Sequence, residues 1–103
     1  MGTYNTLHTS LICPRCGAAV EAVVDCHFGS VGEMARLGIG DRYPWRQGAL
    51  PQNGGRPDGG SVDGEGYMEC PHCNKDSHVR VLVREDVITG VEADEERRGY
   101  LPD

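Results

Sequence analysis

Two short runs constrain this chain more than anything else in it: Cys13-Pro14-Arg15-Cys16-Gly17 and Cys70-Pro71-His72-Cys73-Asn74. A C-x2-C pair sets two sulfurs on one tight turn, and a second pair brought alongside completes the four-sulfur tetrahedron that a zinc ion accepts. Any fold that uses them so must bring residues 13–16 and 70–73 together across the 53 residues between Cys16 and Cys70. In the first run proline fixes one backbone angle, and Gly17 is free to take the positive φ that turns amide groups toward the first sulfur. Asn74 holds the equivalent place in the second run, and asparagine is among the few non-glycine residues that tolerate that conformation.

A cross-link of this kind also answers a need. With 15 glycines and 6 prolines in 103 residues, the chain has a thin supply of side chains for a packed core, and small domains of that sort rely on staples. The expected ligands are Cys13, Cys16, Cys70 and Cys73, holding a structural Zn2+ whose binding contributes to folding. Four thiolates close the coordination shell, leaving no position for a reacting water. The fifth cysteine, Cys26, shares a strand face with valines and reads as a buried, inert thiol. His72 lies between two ligands and is expected to point away from the metal.

The chain carries 16 acidic and 10 basic residues, a formal charge of −6, and the segment from Tyr67 onward contributes −4 of it. Nucleic-acid affinity rests on neutralising phosphates, so an acidic chain without a concentrated basic face makes DNA or RNA an unlikely partner. Residues 2–12 lack a charged start followed by an apolar run, and no stretch approaches membrane-spanning length. An odd cysteine count arranged as two pairs plus one suits metal in a reducing compartment, and a cytoplasmic location is expected. Met1-Gly2 with Thr6 fits the minimal myristoylation pattern, which is too short to carry weight.

Along the chain, residues 3–12 mix β-branched and aromatic side chains and read as a strand feeding the first cysteine pair. From Ala18 to Phe28, Val20, Ala22, Val24, Cys26 and Phe28 alternate with Glu21, Asp25 and His27, the clearest strand of the first half. A cysteine knuckle followed by such a strand resembles the first half of a zinc ribbon. The resemblance covers the two knuckles and their flanking strands, and implies a structural metal in a small antiparallel sheet. In the second half Val79, Val81 and Val83 alternate with polar positions, Glu85-Asp86 turns the chain, and Val87 to Val91 forms the other arm of a hairpin.

Between these halves the signals weaken. Ser30-Val31-Gly32-Glu33 has the form of a capping box, and Gly38 suits a helix end, so a short helix near 30–37 is expected. From Gly38 to Gly66 regular structure is not expected. Residues 53–66 hold six glycines in fourteen positions, a run read as loop and excluded from core strand or helix. Its acids lack calcium-loop spacing, and no Gly-Lys-Ser/Thr follows its glycines. Ahead of it stand Arg42, Tyr43, Trp45 and Arg46, the densest aromatic and basic cluster, read as a partner-binding surface or as cover for a small sheet.

These readings converge on a small, mostly-β, zinc-ribbon-like antiparallel sheet with a long glycine-rich insertion and at most one short helix. A single domain spans 1–103, with the insertion at 29–66 and a tail at 94–103 that docks through Tyr100 and Leu101 or frays. The expected function is a cytoplasmic zinc-binding module whose work is contact with another protein, as an accessory or regulatory component. The alternative is an enzyme or small-anion-binding protein using Arg42, Arg46, Arg56 or His27, and a nucleic-acid-binding zinc ribbon ranks third.

Overall fold

In the computed structural model of the chain, residues 4–32 and 34–94 are described. Six strands form one curled sheet: β1 (Asn5–Ile12), β2 (Ala19–Cys26), β3 (Arg36–Leu37), β4 (Val62–Glu69), β5 (Asp76–Arg84) and β6 (Val87–Ala93). Their order across the sheet is β3-β1-β2-β4-β5-β6. All neighbours are antiparallel except β1 and β3, whose short parallel pairing joins Thr6 to Arg36 and Leu7 to Leu37. The helical content among the described residues is two 3-10 turns, Pro51–Asn53 and Asp58–Gly60.

Alternation sets the core. Leu7 on β1, Val24 on β2, Met68 on β4 and Val79, Val81 and Val83 on β5 project to one face, where each is buried, as the period of two along a strand requires. The sheet curls over that face because its outer strands are tied together at one end. After β3 the chain crosses to β6: the Gly40 amide donates to the Ile88 carbonyl at 2.8 Å, and the Ile88 amide donates to Asp41 at 3.0 Å. Arg42 adds an antiparallel bridge to Val87. The expected turn at Glu85-Asp86 is present, with both residues at positive φ (49° and 70°), the geometry of a tight two-residue hairpin.

Two expectations fail, each for a nonlocal reason. Among the described residues no helix forms near 30–37, where Met34 sits at φ 52° and Arg36–Leu37 is a strand. The buried Asn5 side chain accepts a hydrogen bond from the Ala35 amide and donates one to the Ser30 carbonyl, both 2.9 Å. Those groups are thereby engaged by a residue about thirty positions away, and the capping-box pattern loses to tertiary contact. The glycine run also does not stay a loop to residue 66, because β4 begins at Val62. Its core-facing positions are Gly64 and Gly66, both buried. A Cβ at Gly64 would fall inside contact distance of the Phe28 ring, and one at Gly66 would lie 2.8 Å from Val24. The glycines are the room into which large neighbours pack.

The insertion is therefore a folded layer at one end of the sheet. It runs from the end of β2 to the start of β4, beside Asn5 and the β5–β6 turn. The cysteine knuckles close the other ends of the same strands, eight residues or about 25 Å away at strand rise. The tail at 95–103 lies outside the described residues.

Candidate metal centre

Each cysteine pair sits in the turn of a hairpin, and the two turns are built alike. In the β1–β2 turn the Cys13 amide donates to the Ala18 carbonyl and the Gly17 amide to the Cys13 carbonyl, both 2.9 Å. In the β4–β5 turn the Cys70 amide donates to Lys75 at 2.9 Å and the Asn74 amide to Cys70 at 2.8 Å. Gly17 (φ 75°) and Asn74 (φ 63°) both occupy the left-handed region, as expected from the sequence. With the chain so turned, backbone amides face the leading sulfur of each pair: Arg15 N lies 3.3 Å from Cys13 Sγ, and His72 N lies 3.3 Å from Cys70 Sγ. Such amides stabilise a thiolate.

The four sulfurs meet. Cys13 Sγ is 4.0 Å from Cys73 Sγ, Cys16 Sγ is 3.8 Å from Cys70 Sγ, and all four lie within 4.8 Å of one another. A tetrahedron with metal–sulfur bonds of about 2.3 Å has edges of about 3.8 Å, so this donor set fits a metal ion of that size. A disulfide needs about 2.0 Å between sulfurs, and all five cysteines are free thiols. Cys13 and Cys70 are buried and Cys16 is exposed, so the centre lies at the sheet end with one corner toward solvent.

Burial and amides act unequally on the thiols. The Ala18 amide lowers the pKa of Cys16, but desolvation and the neighbouring thiols outweigh it and hold the group up at about 11. At Cys70 desolvation is opposed by the amides of Cys73 and His72 and by two thiols, which bring it down to about 6. Metal uptake displaces the remaining protons and is therefore favoured as pH rises. Beside the sulfurs, Arg15 reaches across from the first turn to the second hairpin. Its guanidinium donates to the Asp76 carbonyl at 2.8 Å and lies 3.7 Å from Asp76 Oδ1, with both side chains buried. Tyr67 also donates to Asp76, at 2.8 Å. His72 stands outside the sulfur set, its Nδ1 3.7 Å from Cys16 Sγ.

Cys26 is fully buried at the end of β2, paired with Asn5 and Gly66, and desolvation, then the charge of Asp25, push its thiol up to about 12. It is unreactive as a nucleophile at neutral pH.

The aromatic and basic cluster divides between core and surface. Tyr43 is buried and stacked on Phe28 at 4.2 Å, and its hydroxyl donates to the Phe28 carbonyl at 2.6 Å. Burial pushes that phenol well above its usual range. Trp45 is half-buried, tilted against both rings, and donates its indole N–H to Asp86 Oδ1 at 2.8 Å. Arg42 has a side chain 79% exposed and lies 3.6 Å from Asp86 Oδ2, while Arg46 is exposed. Arg56, a candidate anion contact, is held by Asp86 through two hydrogen bonds of 2.8 and 3.1 Å.

Asp86 and Asn5 were not singled out by sequence, yet they hold the insertion. Arg56, then Trp45, keep the Asp86 carboxyl below the usual carboxylate range by hydrogen bonding, with the charges of Arg56 and Arg42 adding to the effect. Its backbone also bonds to Gly60 and Tyr43. The one available signal was its place in a two-residue turn, which says nothing about what the side chain gathers.

Among the described residues no helix is long and apolar enough to cross a membrane. No protein-family model matches the chain, and neither a curated protein nor a solved structure is detectably similar to it.

Proposed function

We propose that Cys13, Cys16, Cys70 and Cys73 hold a structural zinc ion, and that the chain is a zinc-stapled, zinc-ribbon-like β module whose work is binding another protein as an accessory or regulatory component. The observation that carries the metal assignment is the meeting of four sulfurs at tetrahedral spacing from two matched turns. Four sulfur ligands saturate zinc, so the ion would supply rigidity and no Lewis-acid chemistry. Thiols of this kind persist in a reducing compartment, which supports the cytoplasm as its location.

The surface proposed for the partner is the exposed side of the insertion, with Arg42, Arg46 and the free edge of Trp45 as contacts and Tyr43 beneath them as support. Leu50, 60% exposed, adds an apolar element to the same segment. Arginine and tryptophan are the residues that dominate binding energy where such a patch is used. The small-anion alternative is weakened because Asp86 already engages Arg42 and Arg56.

Native mass spectrometry of the purified protein is expected to give one zinc per chain, and Cys70→Ser to abolish it. A protein carrying no stoichiometric metal, or a Cys70→Ser variant with unchanged thermal stability, would remove the metal assignment. For the partner surface, Trp45→Ala is expected to abolish a co-purifying protein while leaving the zinc content intact. Salt-sensitive binding to oligonucleotides would favour the nucleic-acid reading instead.

A further inference from the structure

Arg15, Arg42, Arg56, Arg80 and Arg84 each pair with a carboxylate of the chain. Arg46 is exposed and pairs with none among the described residues, although the chain carries 16 acidic residues. It lines a cavity of about 400 Å³ together with Gly29, Ser30, Val31, Gly32 and Asn53. The Ser30 hydroxyl and the Asn53 amide are likewise without a hydrogen-bond partner among the described residues. Three residues whose side chains can each donate a hydrogen bond therefore belong to the wall of one cavity. No acidic residue stands in the described lining, which in a chain of charge −6 sets this cavity apart.

The two segments that form the walls are fixed by their own backbone. The Ser30 amide donates to the Pro44 carbonyl at 3.0 Å and the Arg46 amide to the Gly54 carbonyl at 2.7 Å, while the buried Asn5 side chain donates to the Ser30 carbonyl at 2.9 Å. A Cβ at Gly54 would lie 2.6 Å from the Gly29 carbonyl oxygen, so the segments meet backbone to backbone. A frame held in this way needs little ordering when a ligand arrives. We propose that the cavity takes a single carboxylate, and that the protein partner proposed above presents it as an acidic side chain. The carboxylate rests on the cavity, and its source rests on that functional reading. A guanidinium meets a carboxylate through two parallel N–H···O bonds, and Ser30 and Asn53 supply further donors. One cation matches one negative charge, whereas a phosphate dianion brings a second that an acidic chain disfavours. Val31, half-buried in the lining, offers apolar contact to the methylene stem of a glutamate. Arg46 directly follows Trp45, which joins the site to the proposed contact surface.

Heteronuclear NMR titration of the full-length protein with N-acetylglutamic acid α-amide, which carries one carboxylate, tests the site, and the neutral glutamine analogue is the control. Saturable shifts are expected at the amides of Gly29 to Gly32 and at the Asn53 side chain, with no response to the neutral compound. Arg46→Gln is expected to weaken binding at least about tenfold, the loss of a charge-assisted pair, and to leave the rest of the spectrum unchanged because the residue is exposed. Equal responses to the two compounds, an affinity unchanged in Arg46→Gln, or tighter binding of inorganic phosphate than of the probe each overturn the carboxylate site. A co-purifying protein that is lost in Trp45→Ala but kept in Arg46→Gln overturns the inference and leaves the partner reading standing. A chain that binds the probe as expected and holds no protein partner supports the carboxylate site and removes the partner reading.

Discussion

Asp86 is where one side chain decides the most. It sits at φ 70° in the β5–β6 turn and gathers the Trp45 indole, the Arg56 guanidinium and, more loosely, Arg42. Each comes from the insertion, so the carboxylate holds that layer to the sheet. Asp86→Asn keeps the shape and the tolerance for positive φ but removes the charge, which isolates the electrostatic part. The folded carboxyl titrates below its unfolded value of about 3.9, so its contribution is present above that value and is lost as pH falls through the depressed folded pKa. Urea denaturation should therefore show Asp86→Asn less stable than the wild type at pH 7, with the difference closing toward pH 3. A constant difference across that range would mean that shape, not charge, is what Asp86 supplies. By contrast Cys26 should be inert: Ellman's reagent is expected to leave it unmodified in the native metal-loaded protein and to reach it only on unfolding, because its thiol is buried and titrates near 12. The contrast also marks what sequence conveys at this scale. Gly17, Asn74 and Cys26 were readable because their roles follow from neighbours in the chain, whereas the roles of Asp86 and Asn5 depend on partners 25 to 41 residues away.

Among the elements, β4 shows where sequence pattern misleads. Its glycines look like a breaker run, and propensity places them in a loop. In the fold they face the core, and the volume they lack is occupied by Phe28 and Val24 from β2 and the residues after it. A pattern of small residues on one strand and large ones opposite is visible only once the β2–β4 pairing is known. β2, β5 and β6, which carry their own apolar faces, were legible without it. Gly64→Ala is expected to destabilise the protein by roughly 1–3 kcal/mol, the range for overpacking a filled core, in a urea titration. Gly32→Ala is the control, since an added methyl there meets nothing within 4 Å, and its effect should stay within about 0.5 kcal/mol. Equal effects at both sites would mean that glycine's backbone freedom, and not the space beneath Phe28, is what β4 requires.

At the scale of the molecule, the cysteine centre and the insertion lie at opposite ends of the sheet, which changes what a metal can hold. Sequence alone suggests that the four cysteines clamp the intervening segment and so fix its aromatic cluster, because they bracket it in the chain. In space the segment is fixed by Asn5, Tyr43 and Asp86 one strand length away. What the sulfurs join is the two hairpins. β2 and β4 pair only from Val24 to Cys26 against Gly66 to Met68, so toward the knuckles the hairpins are linked by the sulfur cluster and by Arg15 with Asp76. Removing a bound metal should therefore loosen the two ends unequally. With a chelator in dilute urea, amides in the knuckles and in β2 from Ala19 to Val23 should lose exchange protection first. The emission of Trp45, the single tryptophan, should hold its native wavelength until higher urea, because Phe28, Tyr43 and Asp86 still surround it. If the emission shifts as soon as the metal leaves, the sheet is one cooperative unit and the metal supports the insertion after all. If it does not, the insertion's surface is built independently of the metal, and substitutions at the cysteines and at Arg42 or Trp45 would disturb different parts of the molecule.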